Sequence, residues 1–199
     1  MRRASLSVAS VGLKAKTGRA VAVVLSGLGD SPQLLRRSEI VLVDPKIPAT
    51  NQPHHEVMDL PWHEAIIAVQ PLVRAIETVA SNALARLVRE IQSDGFKVCG
   101  VGIVGAGDRS LEKIGNPHIR AHAAEGVLFR KVLESAADTN GLAKRAFIEK
   151  GLEQLAASEL GCTAAKLRSL LMELGRSAGP PWRADQRIAA MAAWLSLLI

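Results

Sequence analysis

The run FKVCGVGIVGAG at 96–107 carries one charged residue, Lys97, near its start and is otherwise apolar or glycine. A strand of this kind has no polar face to offer water, so it needs cover on both sides. GRAVAVVLSG at 18–27 reads the same way. Two such strands in one chain predict a sheet sandwiched between helices, and the rest of the sequence supplies the helices.

SLSVASVGL precedes the 18–27 run, and the KAKTG turn between them, with Gly18 free to take a positive φ, suits an antiparallel hairpin. A third strand, SEIVLVDP, ends at a proline. Pro45, Pro48, Pro53 and Pro61 then break regular structure over 45–61, a long loop of the type that carries function. Apolar residues recur at helical spacing from Trp62 to Ile91, with Pro71 marking a kink or a later start. After the 96–107 strand come a helix from Pro117 to Asn140-Gly141 and a short strand, LAKRAFI. Three helical pieces finish the chain, with Thr163 and Asp185 as expected N-caps of the second and third. The expectation is one α/β domain over 1–199. Within it, 1–60 holds the strand meander and loop, 61–148 a helix–strand–helix–strand unit and 149–199 the C-terminal helices.

A chain of 199 residues that is 48% hydrophobic and 22% charged can bury a sizeable core. Aromatic residues are only 3% with no Tyr, which removes the usual platforms for stacking single-stranded bases. Net charge is +6, which favours contact with polyanions such as nucleic acid, yet the basic residues are dispersed as on an ordinary solvated surface. Cys99 and Cys162 have no metal-ligand spacing and read as free thiols. MRRASLSVAS lacks the apolar core of a signal peptide, and IAAMAAWLSLLI is too short to cross a bilayer, so a cytoplasmic protein without membrane contact is expected. The Ala-rich final helix with Trp194 offers a surface on which a homo-oligomer could form.

Three groups of residues can carry chemistry. Lys14, Lys16 and Thr17 in the KAKTG turn can present two ammonium groups and a hydroxyl to a phosphate, although the turn lacks the form of a Walker loop. His118, His122 and Glu125 share one helix face at i, i+4 and i+7. Such a His pair with a carboxylate as third ligand can hold a divalent metal, or simply close the rim of an apolar face. His54 and His55, with Glu56 and Asp59, lie in the 45–61 loop and would join this cluster if the loop folds over the sheet edge. The glycines of GVGIVGAG lie within and just after a strand, which suits close packing against a helix rather than dinucleotide binding. No GxSxG nucleophile motif occurs.

The order of three strands, helix, strand, helix, strand, helices resembles the ribonuclease H-like fold, a three-stranded antiparallel meander extended by parallel strands and flanked by helices. The segment from HAAEGVLFRKVLESAADTNGLAKRAFIEKG through AAKLRSLLMELG to ADQRIAAMAAWLSLL is similar to the corresponding part of bacterial Holliday-junction resolvases. The opening hairpin also resembles the first phosphate loop of actin-like ATPases, which would make Lys14, Lys16 and Thr17 a phosphotransferase remnant. The nuclease resemblance implies clustered carboxylates holding two divalent cations. Matched residue by residue, the first-strand Asp is absent at Leu13 to Ala15, and VGIVGAG has no Glu, although Asp108 follows. Asp185 matches the first acidic position of the final helix, and Ile188 stands at the second. A nuclease would have to work with Asp185, Asp108, Glu125 and Asp44. The resemblance therefore implies a member of the fold without two-metal cleavage, acting as a binding or assembly module with a ligand site at the sheet edge.

Overall fold

A computed structural model of the protein describes residues 7–27 and 31–198. Arg2-Arg3, the Ser5 and Leu6 of the first expected strand and residues 28–30 of the following connection lie outside these. Among the described residues, five strands form one sheet: β1 (Ser7–Lys16), β2 (Arg19–Ser26), β3 (Gln33–Val41), β4 (Phe96–Gly105) and β5 (Lys144–Ile148), in the order β3-β2-β1-β4-β5. The β1–β2 and β2–β3 pairs are antiparallel, whereas β4 runs parallel to β1 and β5 parallel to β4. This is the expected mixed sheet. β3 starts at Gln33 rather than Ser38, because pairing with the whole length of β2 draws LLRRS into the ladder.

Among the described residues, six α-helices flank the sheet: α1 (Trp62–Ala68), α2 (Gln70–Ser93), α3 (Pro117–Thr139), α4 (Leu152–Glu159), α5 (Ala164–Ala178) and α6 (Ala184–Ser196). The stripe from Trp62 to Ile91 is thus two helices that meet at Val69, with Pro71 in the first turn of α2, where its missing N–H costs little. Thr163 caps α5 by accepting from the Lys166 N–H at 3.2 Å. Asp185 does not cap α6; Arg183 is the N-cap, and its backbone N–H donates to Gln186 Oε1 at 2.9 Å.

Strand alternation sorts the core into two layers. Ala9, Val11, Leu13 and Ala15 of β1 face α2 and α3, packing with Ile76, Leu84 and Phe129. On the other face, α6 crosses the centre of the sheet antiparallel to β1, with α4 and α5 packed beyond it. A Cβ on Gly12 would overlap the Ala189 carbonyl, and one on Gly102 the Ala192 carbonyl. Ser10 Oγ donates to the Ala193 carbonyl at 2.5 Å. Glycine on the strands and alanine on the helix thus let α6 lie directly on the sheet backbone. Residues 189–196, Trp194 included, are buried inside the chain, so this helix is core and not the oligomer surface expected from its composition. Its N-terminal end, with Asp185, is carried to the carboxyl end of β1. Among the described residues, no helix is long and apolar enough to cross a membrane.

Candidate functional site

β1 and β4 run parallel and, after a register shift between Ala9 and Ser10, stay paired as far as Lys14 and Val104, so the segments that follow them share one edge of the sheet. Crevices at the carboxyl ends of such strands are where ligands bind in α/β sheets. Here Lys14, only 7% exposed, extends its ammonium to the Glu149 carboxylate at 2.5 Å. Lys16 reaches Asp185 of α6 at 3.2 Å. A cavity of about 410 Å³ opens between them, lined by Lys14, Lys16, Thr17, Arg109 and Glu149 and by the backbone of Gly105 and Gly107. Glu149 was not legible as a site residue from its side chain alone. The available signal was its place directly after the last parallel strand.

A pair of divalent cations needs several carboxylate oxygens free to face them. This edge does not fit that demand. Lys14 presents an ammonium near the end of β1, the buried Val104 pairs with it on β4, and the one carboxylate of the final helix, Asp185, lies 3.2 Å from Lys16 in an ion pair open to water. The four carboxylates required of a nuclease each serve a local partner. Asp44 Oδ1 accepts from the Lys46 N–H at 2.8 Å within its own turn. Asp108 is bound by Arg130 at 2.8 Å and Lys131 at 3.3 Å; the Lys131 hydrogen bond, then the Arg130 charge, hold its carboxyl below the ordinary range. Glu125 is 1% exposed and turned toward a histidine. Among the described residues, Asp185, Asp108, Glu125 and Asp44 belong to no group of three or more donors lying within 4.8 Å of one another.

The histidines form a second cluster, at the N-terminal end of α3. Asn116 accepts from the Ile119 N–H at 3.0 Å and Pro117 fills the first turn, so His118 and His122 project one turn apart from a well-capped helix end. Thr50 organises the facing loop: its hydroxyl donates to the Ile47 carbonyl at 2.7 Å and accepts from the Asp44 N–H at 3.0 Å. The loop brings the His55 ring against both helix histidines, with ring centroids 5.0 Å from His118 and 4.4 Å from His122. His118 and His122 approach each other at 3.1 Å between Nε2 atoms. Behind them, His55 Nδ1 meets Glu125 Oε1 at 2.7 Å.

His54 leaves in the opposite direction and stacks on Trp62, with ring centroids 6.0 Å apart. Burial first, and then repulsion from His55 when that ring is protonated, push its imidazole down to about 4, so it is neutral at physiological pH. Glu56 and Asp59 are exposed. The expected ligand trio of His118, His122 and Glu125 is therefore arranged differently: the donors that converge are those of His55, His118 and His122, while Glu125 addresses His55.

No family model matches the sequence, and no curated protein does. Among solved structures, the chain is similar to Thermus thermophilus RuvC at 10% identity and a TM-score of 0.52, over 94% of this chain and 91% of that one. It is also similar to T. thermophilus RuvC in complex with Holliday junction substrate at 12% identity and a TM-score of 0.47, over 94% and 90% of the two chains. Strand order, strand direction and the flanking helices together give this chain the ribonuclease H-like fold of RuvC.

Proposed function

We propose that the protein is a binding module that engages the phosphodiester backbone of nucleic acid at the carboxyl edge of β1 and β4 and does not cut it by the two-metal route. The observation that carries this reading is Lys14, an ammonium group ion-paired to Glu149 at the strand position where nucleases of this fold hold a carboxylate. A cation there repels divalent metals and attracts phosphate oxygens. Lys16 and Asp185 are 38% and 33% exposed, and a pair so open to water is held by only ~0.2–1 kcal/mol. An arriving phosphate can therefore exchange for Asp185 at little cost. Arg109 and the Thr17 hydroxyl add donors to the same cavity. With few aromatics to stack on bases, recognition falls on the backbone.

The test is fluorescence anisotropy with labelled duplex, four-way-junction and single-stranded DNA and with RNA, over a series of salt concentrations. Parallel cleavage reactions contain Mg²⁺ or Mn²⁺. Binding should weaken steeply with salt, and K16E/R109E should weaken it on every substrate and lower the salt slope by about two. No cleavage product should form. Binding that is absent or insensitive to salt sinks the nucleic-acid reading. Cleavage that vanishes in D185A sinks the non-cleaving one in favour of a RuvC-like nuclease.

A further inference from the structure

The histidine cluster at the start of α3 is independent of the basic sheet edge, and its geometry points to a site that neither the fold nor the binding reading requires. We propose that His55, His118 and His122 bind one divalent transition ion of the zinc type, with a fourth position left for water and Glu125 as a positioning residue. The donor atoms of the three rings all lie within 4.8 Å of one another. The Nε2 atoms of His118 and His122 are 3.1 Å apart, near the ~3.3 Å separating two ligands on a tetrahedral zinc with bonds of about 2.05 Å.

The protonation pattern agrees with the geometry. Glu125 Oε1 accepts from His55 Nδ1 at 2.7 Å, which places the ring proton on Nδ1 and leaves Nε2 with its lone pair. That Nε2 is buried and has no hydrogen-bond partner among the described residues. Buried polar atoms are seldom orphaned, and a metal ligand waiting for its ion is one explanation that uses all three rings at once. A carboxylate on the far nitrogen of a ligating imidazole is the usual arrangement behind metal-bound histidines, because it fixes the ring and raises its basicity. Imidazole donors select zinc, nickel, copper or cobalt over magnesium or calcium. His118 and His122 are exposed, which leaves the remaining coordination position open to solvent. The ion would also clamp the 45–61 loop to α3, joining segments whose histidines are far apart in the chain.

Protein stripped with a chelator and dialysed should be titrated with ZnCl₂ by calorimetry and with Co²⁺ by visible absorption. We expect one equivalent of Zn²⁺ per chain and tetrahedral cobalt bands that shift when azide is added. H118A and H122A, at exposed positions that do not test folding, should each abolish stoichiometric binding. E125Q, isosteric with the wild type, should keep one site but weaken it about 10–100-fold. H54F, beside the cluster and facing Trp62, should bind as the wild type does. Absence of a zinc equivalent in the wild type, or binding that survives H118A and H122A, overturns the site. Cobalt bands unmoved by azide overturn the open position, and unchanged affinity in E125Q overturns the role of Glu125. Circular dichroism of each variant separates a lost site from a lost fold, and H118A and H122A carry the test if E125Q fails to fold.

Discussion

Lys14 and Glu149 form, at the residue scale, an ion pair that closes the carboxyl edge of β1. The two ends are unequal: the Lys14 side chain is 9% exposed, that of Glu149 is 55% exposed. Removing Glu149 leaves a buried ammonium short of a partner, whereas removing Lys14 leaves a carboxylate that water can serve. E149A should therefore cost about 2 kcal/mol of stability and K14M less than about 1 kcal/mol, measured by urea unfolding. The reverse order would mean that Glu149 is not what holds Lys14 in place. Lys14 was legible in the sequence, because its position is set by the strand near whose end it lies. Glu149 was not, because the contact spans 135 residues and nothing local announces it.

The element that decides the architecture is α6. Its alanines meet Gly12 of β1 and Gly102 of β4 with no room for another carbon, since a Cβ on either glycine would fall on helix backbone. Backbone cannot rotate away as a side chain can. G12A and G102A should each cost about 3 kcal/mol or more through overpacking, read as a lowered thermal midpoint. Gly115, where an added Cβ would meet nothing within 4 Å, should accept alanine without such a loss. Melting curves for G12A and G102A that overlay that of G115A would show the packing to be looser than described. Close packing of the β4 glycines against a helix was legible in the sequence; that the helix is α6, whose alanines suggested an oligomer surface, was not. The earlier start of β3 and the break at Val69 were less legible, because pairing partners and helix neighbours set those limits.

At the scale of the whole molecule, Arg145 joins the far edge of the sheet to the helical layer. Its guanidinium donates to both Glu159 oxygens, at 2.8 and 2.7 Å, and to the Leu195 carbonyl at 3.2 Å, and it lies over the Phe147 ring at 5.0 Å. The Arg145 hydrogen bonds hold the Glu159 carboxyl below its ordinary range. A carboxylate depressed in the folded state contributes stability above its unfolded pKa and loses it as pH falls through the folded value. With both side chains about 30% exposed, E159Q should cost about 1 kcal/mol at neutral pH. That difference should shrink toward zero through the carboxylate range in urea unfolding; a gap that stays constant with pH would assign the loss to packing instead. By itself, the sequence determined the two-sided strands, the meander and hence the fold, because polarity and side-chain size repeat over a few residues wherever a local element is built. Only the tertiary structure decided that His55 turns toward α3 while His54 turns toward Trp62, that Glu125 stands behind His55, and that Glu149 pairs with Lys14. Adjacent histidines have the same chemistry, and which one enters a cluster depends on how a long loop is closed by contacts distant in the chain.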